Sequence, residues 1–156
     1  MSSRKSDLLD AALRYLVEHG IANASLRPIA AALGTSPRIL MFHFRSKEGL
    51  LQAVFAELHS RLQASLRAMA SLDSDPALGP PLRRFWQWAT SKDNFPYFRL
   101  LYEAQIVALQ NPQEYGRYLR KTSSDWRETA LDLMSPSLKS TAMASLCIAV
   151  FDGLML

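Results

Sequence analysis

The chain has 156 residues, of which 49% are hydrophobic, enough for one packed core with a small head. A single cysteine, Cys147, excludes an internal disulfide, and we interpret it as a small core residue in a reducing cytoplasm. No apolar run reaches the roughly 18 residues of a membrane span, and no signal peptide is visible. We therefore expect a cytoplasmic protein with no membrane partner.

The formal net charge of +4 is unevenly distributed. Residues 1–47 carry seven basic and three acidic side chains, whereas the remaining residues carry eleven of each. The whole positive excess therefore lies in the N-terminal third, where it provides the local field that a polyanion requires. Chance clustering on a solvated face is the alternative explanation.

The first predicted element is a helix from about Arg4 or Ser6 to His19, because apolar residues recur at spacings of three and four. Gly20 ends this helix. The helix is expected to support two shorter helices that follow it.

Two short helical patterns come next, joined by a tight turn at Gly34-Thr35-Ser36. Apolar residues from Leu26 to Leu33 fall on one helical face, with Ser25 in the capping position before them. Ser36 and Pro37 then act as cap and first residue of a second helix that ends near Phe44. This pattern predicts a helix-turn-helix, whose second helix enters the major groove of DNA. A plain helical hairpin that touches no DNA is the alternative.

The same stretch resembles the DNA-binding half of the tetracycline-repressor (TetR-like) family of bacterial regulators. The resemblance rests on ordered steps in the sequence, which are Ile29-Ala30, Gly34-Thr35-Ser36, Phe42-His43-Phe44 and Ser46-Lys47-Glu48-Gly49-Leu50-Leu51. It departs at Met41, where the family usually has a phosphate-contacting tyrosine, and at Ile39, where a small hydroxyl residue is common.

This resemblance implies a DNA-binding head over residues 1–47 and a helical ligand-binding and dimerisation body over residues 48–156. The residues expected to meet base edges are Thr35, Pro37 and Arg38. The residues expected to hold phosphates are Ser25, Arg27, Ser36, His43 and Lys47. Lys47 stands at the first turn of a helix, where free N–H groups also attract an anion; the alternative is a lysine that simply points into water.

The rest of the chain also predicts helices, with no sustained β alternation, so the fold class is all-α. An apolar stripe predicts a long fourth helix from Ser46 to about Ser71, rising about 37 Å. A breaker-rich connection follows at 73–81. Capping residues before prolines at Asn94, Asn111 and Ser135 then predict later helix starts. The last four helices are expected at about 80–91, 95–110, 112–134 and 136–156.

The second half is expected to hold a small-molecule pocket, since its aromatic residues combine large apolar area with a few polar tips. The proposed lining residues are Trp86, Phe98, Tyr102, Gln105, Tyr118 and Trp126. Because this half has zero net charge, we expect a mainly apolar or aromatic effector. The alternative is that the aromatic residues are ordinary core and that Gln105 bonds a neighbouring backbone group or tyrosine.

The chain ends on apolar residues without a cap, and Asp152-Gly153-Leu154 resembles a step midway along the family's eighth helix. We therefore expect a truncated helix 8 whose exposed apolar face pairs with a second copy. The histidines His19, His43 and His59 show no metal-ligand spacing and no catalytic order, so we expect no metal, no cofactor and no enzymatic activity.

Together these features predict a ligand-responsive repressor. The resemblance implies that a homodimer binds a palindromic operator on double-stranded DNA and is released by the effector. A helical small-molecule-binding or adaptor protein without DNA-binding activity is the alternative, favoured by Met41 and by the early end of the chain.

Overall fold

The computed structural model describes residues 3–22, 24–71 and 81–155, and over these residues all regular structure is helical. The helices in chain order are α1 Ser3–His19, α2 Leu26–Ala32, α3 Pro37–Phe44, α4 Lys47–Ser71, α5 Pro81–Ala89, α6 Phe95–Gln110, α7 Pro112–Leu133 and α8 Thr141–Met155. The all-α class is confirmed. The predicted connection at 73–81 lies outside the described residues except for its last position, and the division of the chain at residue 47 stays a prediction.

Glycine and serine residues delimit the first four helices largely as predicted. Gly20 and Gly34 have φ angles of 75° and 61°, backbone conformations in which a side chain would be strained. The Ser36 hydroxyl accepts a hydrogen bond from the Ile39 amide at 3.3 Å, which caps α3. The Ser46 hydroxyl caps α4 in the same way, accepting from the Gly49 amide at 3.0 Å. The helix-turn-helix geometry is therefore fixed by local interactions.

Other predicted caps behave differently. Ser25 has the extended backbone of a capping residue before α2, but its side chain makes no capping hydrogen bond. The side-chain amides of Asn94 and Asn111 also do not cap the helices that follow them. They donate to carbonyl groups at the ends of the preceding helices, Trp88 at 3.0 Å and Val107 at 2.9 Å.

The predicted start of the last helix was wrong. Residues 135–140 are not helical and include a turn at 136–138, and α8 begins at Thr141, where the Ser140 hydroxyl accepts from the Met143 amide at 3.2 Å. Pro136 permits a helix start but does not require one, and a second serine–threonine step further along supplies a cap that the proline pair lacks.

Helix α4 lies at the centre of the packing, in contact with α1, α3, α6 and α7. Its inward residues Leu50, Val54 and Leu58 are fully buried. One contiguous core therefore runs from the head into the body. None of the described helices is both long enough and apolar enough to cross a lipid bilayer.

A second connection between head and body comes from α6. The Glu103 carboxylate accepts a hydrogen bond from the buried Ile21 amide at 2.7 Å. One turn earlier, the Arg99 guanidinium donates to the Val17 carbonyl at 2.7 Å. These two residues, which we call the α6 clamp, hold the C-terminal end of α1. Sequence analysis predicted neither of these contacts.

The α6 clamp generates a stability prediction. Glu103→Ala leaves the buried Ile21 amide without its acceptor, which is expected to lower the free energy of unfolding by about 1–2 kcal/mol. Glu103→Gln keeps an acceptor oxygen and is expected to lose less. Urea denaturation of the three proteins measures the difference, with Glu18→Ala, an exposed change on α1, as the control. Equal stability of wild type and Glu103→Ala would show that the clamp contributes nothing.

Candidate nucleic-acid interface and effector-binding body

The recognition helix α3 is anchored by two residues one turn apart. Leu40 and Phe44 are buried against the head, with 0% and 5% of their surface exposed. Arg38 is exposed on the same helix, and Arg27 is exposed on α2. Because only these two residues point inward, most of α3 faces outward. A helix that inserts into a groove of DNA requires such an exposed surface.

The outward surface of α3 is more apolar than sequence analysis recognised. Met41 is 50% exposed and Phe42 is 82% exposed, and Ile39 is also exposed. The sequence could have predicted this exposed apolar surface, because an eight-residue helix with two buried positions one turn apart must expose its other apolar side chains. Such side chains suit contact with thymine methyl groups more than contact with phosphates.

In the turn before α3, the Thr35 hydroxyl is buried and has no hydrogen-bond partner among the described residues. Its predicted contact with a base edge therefore requires rotation of the side chain. Pro37 is half-buried, whereas Ser36 is exposed while it caps α3.

A cleft of about 440 Å³ lies where the start of α4 meets α1 and α7. Its lining includes basic side chains (Lys5, His43 and Arg45) and the acidic Glu48 and Glu114. The Lys5 ammonium group lies 5.5 Å from the centre of the Phe44 ring. The predicted phosphate-binding residue His43 therefore shares this cleft with Lys5 and Arg45, while Lys47 is half-buried at the first position of α4.

The six predicted effector-binding residues do not form a single group. Trp86, Phe98 and Tyr102 lie in an aromatic cluster between α5, α6 and α8. Tyr118 and Trp126 instead contact Phe55 and His59 on α4. Gln105 is half-buried, and its side chain makes no hydrogen bond within the described residues. The structure therefore supports neither a role for Gln105 in a pocket nor the alternative of a bond to a backbone group or a tyrosine. The lining of an effector pocket stays a prediction.

The aromatic cluster contains a carboxylate that sequence analysis did not include. The Tyr102 hydroxyl donates to the Asp152 carboxylate at 2.9 Å. Phe151, beside Asp152, has its ring centre 4.6 Å from that of Phe85 and 5.5 Å from that of Phe98. Burial raises the pKa of Asp152, and the hydrogen bond from Tyr102 only partly opposes this.

The other cluster, between α4 and α7, contains polar groups that are also missing from the predicted set. His59 is 6% exposed, and its Nε2 lies 3.0 Å from the Asp125 carboxylate, which also pairs with Lys121 at 2.6 Å. The His59 Nδ1 atom, the Gln63 amide nitrogen and the Tyr118 hydroxyl are buried without a well-formed hydrogen bond within the described part of the chain. Burial raises the pKa of Tyr118 to about 12. The sequence feature that could have indicated this cluster was a histidine, His59, on an apolar face of α4.

No group of three or more histidine, cysteine, aspartate or glutamate residues in the described ranges is arranged to hold a metal ion. Beside the histidine–aspartate pair, Lys121 contacts Asp125 and Trp126 contacts His59.

The described fold contains a helix-turn-helix head, and comparison with known proteins agrees. Residues 8–54 match the family model of bacterial regulatory proteins of the tetR family. The chain is 27% identical over 158 residues to the nicotine-responsive transcriptional repressor HdnoR of Paenarthrobacter nicotinovorans, covering 96% of this chain and 80% of HdnoR. Over 62 residues it is 37% identical to the transcriptional regulator BetI of Escherichia coli, covering 40% of this chain and 32% of BetI. The chain is therefore similar to TetR-like transcriptional regulators, most specifically over residues 8–54.

Solved structures extend the similarity to the body. The multidrug binding protein EbrR complexed with imidazole has a TM-score of 0.70 and 26% identity, covering 98% of this chain and 78% of that chain. Its ethidium complex gives a TM-score of 0.69 with 26% identity, covering 97% and 84%. A putative TetR-family regulator from Rhodococcus sp. has a TM-score of 0.66 at 21% identity over 99% of this chain and 86% of that chain, which supports the fold alone.

The buried His59 generates a pH prediction. Burial lowers the pKa of His59 from its ordinary value of 6.5, and this outweighs the hydrogen bond and charge of Asp125, which raise it. The unfolded chain therefore takes up a proton that the folded chain resists, so the free energy of unfolding falls as the pH is lowered below about 6.5.

His59→Gln should flatten this dependence between about pH 7 and pH 5, the range in which an ordinary histidine titrates. Urea denaturation at several pH values measures it, and His19→Gln, a change at an exposed histidine, is the control. Contributions from Asp125, whose pKa is lowered by its hydrogen bonds from Lys121 and His59 against the effect of burial, fall at more acidic pH. An unchanged profile in His59→Gln would contradict the assignment.

Proposed function

We propose that this chain is a ligand-responsive repressor that binds a palindromic operator on double-stranded DNA. The observation that carries the proposal is a capped helix-turn-helix whose α3 is anchored at Leu40 and Phe44 and exposes Arg38. The net charge of +4 over residues 1–47 provides the field for a polyanion. A bacterial regulator of this kind acts in the cytoplasm, and we propose no enzymatic activity for it.

The proposed DNA contacts divide into two classes. Ser25, Arg27, Ser36, His43 and Lys47 hold phosphates and so fix the position of the head without selecting a sequence. Arg38 and Pro37 meet base edges, and Thr35 joins them after its side chain rotates. The exposed Met41 and Phe42 add apolar contacts in the groove, where the family's usual tyrosine would bind a phosphate.

The proposed assembly is a homodimer. Leu146, Val150 and Leu154 form a stripe at four-residue spacing on α8, each more than half exposed. A large apolar stripe of this kind favours a partner helix. Two heads on such a dimer would read half-sites one helical turn, or a multiple of it, apart.

The proposed effector is a small molecule with an aromatic body, and it binds among the helices of the body. Support comes from the relatives, since HdnoR is described as nicotine-responsive and EbrR is described in complex with ethidium. An effector changes the affinity for DNA only if it binds one of the two arrangements of the heads more tightly than the other. The α6 clamp and α4 are the two connections through which that difference reaches the head.

The phosphate role of Lys47 is tested by salt dependence. Lys47→Ala should weaken binding to all DNA sequences alike and reduce the slope of log affinity against log salt by about 0.9. Fluorescence anisotropy of a labelled duplex at several salt concentrations measures this. Lys139→Ala, the same charge change at an exposed position between α7 and α8, should leave the slope unchanged. Equal slopes for all three proteins would rule out a phosphate contact at Lys47.

The base-reading role of Arg38 is tested by specificity. Arg38→Ala should cost about 1–3 kcal/mol on a duplex selected by the wild-type protein from random DNA, and much less on unselected DNA. A uniform loss on both duplexes would instead assign Arg38 to the phosphates. If the wild-type protein binds no duplex at low salt, the repressor hypothesis is replaced by the alternative of a small-molecule carrier or adaptor. The exposed Met41 favours that alternative.

A further inference from the structure

Asp152 is an acidic group in an environment that does not favour its charge. It is half-buried on α8, and among the described residues its only polar partner is the Tyr102 hydroxyl. No lysine or arginine of those residues pairs with it. A carboxylate removed from water without a cation is costly, and burial correspondingly raises its pKa.

A cluster of aromatic rings lies next to this carboxylate, around its neighbour Phe151. Phe85 and Phe98 pack against Phe151, and Trp86 meets Phe151 edge-on with ring centres 6.1 Å apart. Trp86 is 36% exposed, so the cluster is not sealed from solvent. Ring faces carry negative electrostatic potential and attract cations, more strongly where water is excluded.

We propose that Asp152 and the surrounding rings form a binding subsite for an organic cation with an aromatic or apolar body. The carboxylate supplies the missing counter-charge, the rings supply apolar area and cation–π attraction, and Tyr102 orients the carboxylate. An anion would be repelled by Asp152, and a neutral molecule would leave the carboxylate uncompensated. The subsite narrows the proposed effector class from mainly apolar molecules to cationic ones, and its effect on DNA binding rests on the proposed repressor function.

The test compares two probes of the same shape and different charge. N-methylquinolinium is the cation and 1-methylnaphthalene is its neutral counterpart, and both are titrated into the full chain without DNA while tryptophan fluorescence is recorded. The wild-type protein should bind the cation at least roughly tenfold more tightly than the neutral probe. Equal affinities in the wild-type protein would overturn the proposal, whatever the variants do.

Two variants locate the effect. Asp152→Asn keeps an acceptor for the Tyr102 hydroxyl but removes the charge, and it should abolish the preference for the cation while binding of the neutral probe persists. Asp132→Asn, the same charge change at an exposed position of α7, should retain the preference. A preference that survives in Asp152→Asn, or disappears in Asp132→Asn, would show that the cation binds elsewhere.

A separate measurement distinguishes this subsite from the repressor function. The same cation is added to the protein bound to its selected duplex. DNA release that depends on Asp152 supports both proposals together. Failure of the wild-type protein to bind DNA would overturn the repressor function and leave the cation subsite supported by the probe titration. Equal binding of the two probes by a protein that does bind DNA would overturn the subsite alone.

Discussion

The burial of α4 against four other helices is the constraint on which the rest of the structure depends. Its first turn belongs to the α3–α4 junction, and its middle belongs to the core of the body, where Phe55 and Leu58 are fully buried. Densely packed interiors transmit displacement instead of absorbing it. The head therefore cannot change its orientation while the interior of the body stays fixed, unless α4 bends or slides.

The body keeps polar groups in places where an apolar core would be more stable. His59 and Gln63 are almost fully buried on one face of α4, and both have a side-chain nitrogen without a partner among the described residues. Asp152 is in a related situation between α6 and α8. Buried polar groups with unmade hydrogen bonds lower stability, and a ligand that supplied the missing partners would recover part of that loss. Under the proposed function, this gain would contribute to the difference in affinity by which an effector shifts the equilibrium between states.

Sequence patterns predicted the elements that local chemistry determines. The glycine ends of α1 and α2, and the serine caps of α3 and α4, depend on residues within a few positions of one another, so they were found correctly. The start of α8 was missed because Pro136 and Thr141 both follow capping residues, and of these two serines it is Ser140 whose hydroxyl makes the capping hydrogen bond.

The aromatic clusters of the body were harder to predict, because they depend on tertiary packing. The aromatic residues were chosen because of their chemistry, but which of them meet is decided by how α5 to α8 pack. Asp152 was noticed only as part of a family step, since nothing near it in sequence reveals the hydroxyl of Tyr102, 50 positions away. The contact of Glu103 was not predicted either, because its partner Ile21 is 82 positions away in the sequence. Long-range contacts leave almost no trace in local periodicity.

The two missed carboxylates become more informative when they are considered together, because Glu103 is adjacent on α6 to Tyr102, the partner of Asp152. Tyr102 binds Asp152 in the body, and the next residue, Glu103, binds the Ile21 amide of the head. Successive helical residues point about 100° apart, so one rigid helix joins the proposed cation subsite to the end of α1. Under the proposed function, a small rotation of α6 that improved the contacts of Tyr102 and Asp152 with a ligand would move Glu103 relative to the amide. The hydrogen bond at stake is worth about 1–2 kcal/mol, which falls within the range of about 1–3 kcal/mol typical of coupling between two sites. By linkage, DNA that held α1 in the clamped arrangement would then weaken cation binding by the same factor.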